Sequence, residues 1–230
     1  MMDLYARKGS AIPQKLLIVA IELCLLLIAA WLMFGGGDGI VAGLFGFAPA
    51  DTVPARRYVI MGFSCIVLVR MTVMMFVFLK RQIPWSETLA VPSAFALYYV
   101  GFALSVLPSR EPLGLLDHVG IALFVLGSGL NTGSELQRHR FKADPANAGK
   151  LYTGGLFRLS MHINFFGDVV WIVAYAILAA NPWAFLIPAF TASFFIFYNV
   201  PLLDRHLAAH YGAAFTDYAA RTKRLIPFVW

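Results

Sequence analysis

Six stretches of mostly apolar residues dominate this chain, at 15–34, 58–79, 88–107, 115–135, 161–180 and 183–203. About 20 such residues in a helix cross a hydrocarbon layer about 30 Å thick, so each stretch is expected to span a bilayer. Only 13% of the 230 residues are charged and 60% are hydrophobic, whereas soluble domains carry about 25% charged residues. A chain this short cannot bury that much apolar surface in one globule, so lipid must serve as solvent. The expected fold is an all-α integral membrane bundle of about six transmembrane helices, followed by a C-terminal amphipathic helix.

Turn-rich breaks separate the first four stretches: Gly35-Gly36-Gly37-Asp38-Gly39, Gln82-Ile83-Pro84 and Pro108-Ser109-Arg110. The last two meet at Asn181-Pro182, a tight turn that predicts a helical hairpin. No internal repeat is visible. Cys24 and Cys65 both lie in apolar stretches and read as small buried hydrophobes rather than a disulfide framework or a metal site. The basic segment before Lys15 runs into an apolar stretch long enough to span, so no cleavable signal is expected.

Orientation follows the Lys and Arg distribution. With the N-terminus in the cytoplasm, six crossings put fourteen cations inside, among them Arg7, Lys8, Lys15, Arg138, Lys150 and Arg221. Three remain outside, Arg56, Arg57 and Arg110. Both termini are therefore expected inside, where the 136–160 linker and the tail after Asp204 share one basic face. Tyr211, Phe215 and Tyr218 recur at helical spacing in that tail, a pattern that suits the membrane interface.

Ionisable groups inside a span are costly and mark function by default. Glu22 in the first span and Arg70 in the second lie at similar depths, so an ion pair between them is feasible, as a structural tie or as part of a substrate pocket. Tyr98 and Tyr99, halfway through the third span, can each offer a hydroxyl to a carbonyl or simply pack.

The strongest internal signal is a pair of pairs. Asn131 and Glu135 are four residues apart at the cytoplasmic end of the fourth span, and Asn164 and Asp168 are four apart at the start of the fifth. On a helix each pair shares a face, and antiparallel helices bring the two faces together. Carboxamides and carboxylates suit a nucleotide with a ribose and a carboxamide. Between the pairs, Gly154-Gly155 allows close backbone approach, and the helix start that follows offers N–H groups to an anion. His206 and His210 are one helical turn apart, but five histidines and no third cluster give no metal site. His162 reads instead as a hydrogen-bonding or phosphate-facing residue.

The run Gly155-Leu156-Phe157-Arg158-Leu159-Ser160-Met161-His162-Ile163-Asn164-Phe165-Phe166-Gly167-Asp168 resembles the signature of the steroid 5-alpha-reductase C-terminal domain, roughly G-L-W/F-x-x-S-R-H-P-N-Y/F-x-G-E. Asn131-Thr132-Gly133-Ser134-Glu135 is similar to that family's N-x-x-S-D/E. The ending Arg224-Leu225-Ile226-Pro227-Phe228 matches as well, and Arg70 to Pro84 is a fainter echo. The resemblance covers 65–230, most strongly from 130 onward. It implies a single membrane domain over 1–230, with 1–110 on the substrate side and 111–230 on the cofactor side.

By the same resemblance, the cofactor is NADPH, held by Asn131, Glu135, Asn164 and Asp168. Arg140, Lys142, Arg158 and Arg205 are the candidates for its phosphates, with His162, His206 and Tyr211 beside them. The reaction is hydride transfer to an enone-like lipid, with an acid polarising the carbonyl. Glu22 with Tyr98 or Tyr99 is the candidate acid, and Glu87 is the reserve. Isoprenylcysteine and phospholipid methyltransferases share this architecture and bind S-adenosylmethionine through R-H-P-x-Y and a downstream acidic element. Asp204-Arg205-His206-Leu207 fits that element loosely, while Met161 and Ile163 stand where the first motif has Arg and Pro. The alternative function is thus an S-adenosylmethionine-dependent membrane methyltransferase. The expected setting is the inner membrane of a bacterium, with the lipid bilayer and a lipophilic substrate as partners and no nucleic acid. Oligomeric state is not readable from the sequence.

Overall fold

The computed structural model describes residues 9, 11–48, 52 and 54–230. Arg7 and Lys8, two of the cations assigned to the inner face, lie outside the described residues. Helices make up the architecture, and no strand appears among the described residues. Five helices are long and apolar enough to cross a membrane: α1 (Ile12–Phe34), α3 (Ala55–Phe78), α4 (Trp85–Val106), α5 (Leu115–Ala143) and α7 (Pro182–Tyr211). The fifth expected span is the shorter apolar helix α6 (Ile163–Ala179). Short α2 (Gly37–Phe45) follows the glycine-rich break, and α8 (Ala213–Arg221) is the expected amphipathic helix. The chain is a multi-pass membrane protein.

Local chemistry explains the boundaries. Pro13 occupies the first turn of α1, where its missing N–H costs nothing, and Gly36 turns the chain at φ 87°. Asn181 accepts from the Trp183 backbone N–H at 3.1 Å and donates to the Ser105 carbonyl at 3.1 Å, which fixes the Asn-Pro turn. Tyr98 and Tyr99 sit in a π-helical turn, Leu97–Gly101, downstream of Pro92, which breaks the regular ladder of α4.

The chain forms two compact units. The first comprises the described residues up to Ile121 together with Tyr175–Ile187. In it α1 packs on α3 and α4, while side chains such as Leu23, Leu27 and Trp31 point outward, as lipid contact requires. Cys24 and Cys65, expected to be buried, are exposed on the same kind of apolar surface. Tyr175 stacks on Phe102 at 4.9 Å, meets Phe63 edge-on at 5.3 Å and donates its hydroxyl to Ser64 Oγ at 3.2 Å. Two of the three cations expected outside are buried: Arg56 pairs with Asp117, and Arg57 pairs with Asp38 at 2.9 Å. Each also donates to backbone carbonyls, which is what makes a desolvated guanidinium tolerable.

The second unit comprises Ala122–Ala174 and Pro188–Trp230. Within it α5 and α6 run antiparallel and approach through glycine. A Cβ on Gly127 would lie 2.5 Å from the Trp171 backbone nitrogen and 2.6 Å from the Gly167 carbonyl oxygen. One on Gly167 would lie 2.6 Å from the Asn131 nitrogen. The two backbones meet because neither position carries a side chain.

Candidate functional site

That glycine contact brings the two carboxamide–carboxylate pairs into register. Asn164 Nδ2 donates to Glu135 Oε1 at 2.9 Å, and Asn131 Nδ2 donates to the Asn164 carbonyl at 3.3 Å. All three residues are buried. The second Glu135 oxygen accepts from Arg138, one turn further along α5. Ser134 Oγ donates to the Asn131 carbonyl at 2.9 Å. Asp168 is half-buried and accepts from its helix neighbour Trp171 at 2.8 Å. The bonds described here therefore join three of the four residues to one another.

The loop before α6 is fixed from both sides. Gly155 adopts φ +54° with Gln137 packed against it, and a Cβ there would lie 2.2 Å from Gln137 Oε1. That oxygen accepts from the Leu156 N–H at 2.9 Å. The following helix is only the short turn Gly155–Arg158. The close approach expected at the paired glycines is thus made by the chain's own glutamine, which also takes one of the N–H groups assigned to an anion. Tyr152 lies between Phe141 and Phe157, at 4.8 and 5.7 Å.

The tail clamps the start of α6. Met161 and His162 donate their N–H groups to the carbonyls of Lys223 and Arg224, at 2.8 and 3.0 Å. Ser160 Oγ donates to the Leu225 carbonyl at 2.8 Å. His162 Nε2 is 2.7 Å from Asp204 Oδ1, and Arg224 Nε is 3.0 Å from Asp204 Oδ2. Tyr218 donates to the Phe157 carbonyl at 2.5 Å, and burial pushes its hydroxyl pKa up. Met161, which stands at the Arg position of the family signature, packs with Phe215 and Tyr218.

The remaining cofactor candidates sit on the rim of this unit. Arg140, Arg158 and Arg205 are exposed. Lys142 donates to the Tyr211 hydroxyl at 2.8 Å. His206 stacks on His210 at 6.1 Å, and among the described residues no cluster could hold a metal ion.

In the first unit, Tyr99 donates to Glu22 Oε2 at 3.4 Å, and both residues are fully buried. Glu22 Oε1 is buried without a hydrogen-bond partner. The bond described for Glu22 thus runs to Tyr99 rather than to Arg70. Tyr98 is buried edge-on to Phe95 at 5.3 Å. Glu87 is held by Arg81 through both oxygens, at 3.1 and 2.7 Å, in a partly exposed clamp.

Gln137, Tyr152 and Gly127 were not singled out by sequence, while Arg138 figured only as a topology cation and Gly167 only as a residue of the signature run. Gly127 does lie four residues before Asn131 on the same face, which was the available signal.

The family model described as "Protein of unknown function (DUF1295)" matches residues 33–222. Pig 3-oxo-5-alpha-steroid 4-dehydrogenase 2 is 30% identical over 112 residues, 49% of this chain and 42% of that enzyme. Protein-S-isoprenylcysteine O-methyltransferase B of Arabidopsis thaliana is 24% identical over 119 residues, 50% of this chain and 60% of that enzyme. The match thus spans less than half the length of the steroid enzyme. Among solved structures, the eukaryotic intramembrane Ras methyltransferase, an isoprenylcysteine carboxyl methyltransferase, aligns with a TM-score of 0.43 at 12% identity, over 96% of this chain and 98% of that one.

Proposed function

We propose, from the premise that this chain belongs to the DUF1295 family, that it is an NADPH-dependent membrane reductase acting on a carbon–carbon double bond of a lipophilic, enone-like substrate. The observation that carries this reading is the buried bond between Asn164 and Glu135, with Asn131 beside it. A nucleotide bearing ribose and carboxamide groups needs both donors and acceptors in a dry place, with cations nearby for phosphate. The second unit supplies each: two carboxamides, a carboxylate, and exposed Arg140, Arg158 and Arg205 with Lys142. The donor set fits the group.

NADPH, when bound, supplies hydride. The chain's own part is binding and proton delivery. Asn131, Asn164 and Glu135 hold polar groups of the cofactor, with Asp168, His162, His206 and Tyr211 as the further binding candidates. The four cations take its phosphates. Tyr99 is the proton donor to the substrate carbonyl, and Glu22 orients its hydroxyl. Tyr98 stays in reserve, while the Arg81 clamp on Glu87 favours a structural role for that carboxylate. Both chain ends lie in the cytoplasm of a bacterial cell, on the basic face.

The second reading is a methyltransferase using S-adenosylmethionine. It is favoured by the 2.7 Å bond from His162 to Asp204, which joins the histidine motif to the downstream acidic element. Thermal unfolding of the detergent-purified protein tests the two. A ligand at 100 times its Kd stabilises the folded state by about 2.7 kcal/mol. NADPH is expected to raise the unfolding temperature and S-adenosylmethionine to leave it unchanged. The reverse pattern establishes the second reading, and no response to either removes both.

A further inference from the structure

The expectation that the aromatic face of the tail lies in the membrane interface meets a different arrangement. Phe215 and Tyr218, on α8, are buried against Met161 within the protein. The exposed apolar side chains come later, in the turn after α8. Phe228 is 80% exposed, Val229 is 70% exposed, and Ile226 and Trp230 are partly exposed. This turn lies beyond α7, the last helix able to span, so the hydrocarbon contact of a span does not account for it.

The turn is closed rather than loose. The Leu225 and Ile226 N–H groups both donate to the Trp230 carbonyl at 2.7 Å, and the Trp230 N–H returns to the Ile226 carbonyl at 3.0 Å. Phe228, at its apex, adopts φ 66°. A non-glycine residue in the left-handed region is strained, and here the strained backbone holds an aromatic ring away from the protein. Exposed Arg221, Lys223 and Arg224 flank the turn, and the Arg224 guanidinium lies 5.8 Å from the Trp230 ring centroid. Apolar and aromatic side chains beside cations are what an anionic membrane surface accepts.

We propose that the Ile226–Trp230 turn docks into the headgroup region of an anionic bilayer, with Phe228 and Val229 inserted and Arg221 and Lys223 on lipid phosphates, while Arg224 stays on Asp204. The same tail gives its carbonyls to Ser160, Met161 and His162, two residues before Asn164. The turn is thereby a lipid contact that steadies the start of α6. The docking does not depend on which cofactor the protein binds.

The test is a full-length Phe228→Cys variant in a Cys24→Ser, Cys65→Ser background, carrying an environment-sensitive fluorophore, in nanodiscs containing nitroxide-labelled lipid. Val229→Cys serves as a second position should the first fail to fold. Ala146→Cys, in an exposed turn, reports the aqueous reference. Blue-shifted emission that labelled lipid quenches, more strongly in phosphatidylglycerol than in phosphatidylcholine nanodiscs, is expected at 228 and 229. Emission like that at 146 overturns the proposal. Equal quenching in both lipids overturns its electrostatic part. Self-quenching that rises with protein density, without any response to labelled lipid, puts a second copy on the turn and overturns it too.

Discussion

At the residue scale, Glu135 answers to two partners, the Asn164 amide and the Arg138 guanidinium. Glu135→Ala strands a buried carboxamide and removes a charged acceptor, a loss of about 1–3 kcal/mol. Glu135→Gln keeps an acceptor for Asn164 and should cost less, so thermal unfolding should rank the three proteins in that order. Tyr218 gives a pH-dependent counterpart. Burial raises its pKa, so the folded protein retains a proton that the unfolded chain has lost above about pH 10. Its contribution is therefore complete below that pH and declines above it. Tyr218→Phe should be less stable by about 1 kcal/mol near neutrality, from the lost bond to the Phe157 carbonyl. The gap between the two proteins should narrow as pH rises past about 10; a constant gap contradicts the assignment. Asn131, Glu135 and Asn164 were legible because fourfold spacing on a helix fixes a shared face. Asp204 with Arg224, and Gln137 with Leu156, pair across stretches with no local period, so sequence gave no sign of those bonds.

At the scale of elements, the crossing of α5 and α6 depends on two glycines. Gly127→Ala puts a methyl group into backbone atoms that cannot turn aside, and overpacking of that kind costs about 1–3 kcal/mol or more. Gly129, two residues on, faces open space, so Gly129→Ala should be neutral or stabilising by about 0.5–1 kcal/mol. Paired unfolding curves check this, and equal losses at both positions would remove the crossing as the explanation. The long helices were legible from hydropathy alone, since lipid imposes a length and permits few charges. The start of α6 was legible as well, at 161 against Ile163. What was not is that the N–H groups of Met161 and His162, just before it, are tied by the tail, some sixty residues away in sequence. The apolar face of α8 was legible too. What it packs against was not, since protein and lipid interface demand the same pattern.

At the scale of the whole molecule, the membrane architecture and the resemblance to the steroid 5-alpha-reductase C-terminal region are both borne out. Relatives on the reductase and methyltransferase sides match over about half the chain each, so kinship establishes an enzyme-rich neighbourhood and leaves the reaction to the site. Orientation belongs to this scale as well. Cysteine-accessibility labelling of intact cells should find Ala146→Cys protected and Pro112→Cys, in the loop before α5, reactive to an impermeant reagent; the opposite pattern inverts the topology. The central claim is that Asn164 and Glu135 bind a reduced dinucleotide. It is tested most directly by fluorescence titration of NADPH into wild-type protein and Asn164→Ala, both first confirmed as folded. Saturable binding by the wild type and none by the variant is the predicted result. Wild-type affinity in Asn164→Ala would contradict the account.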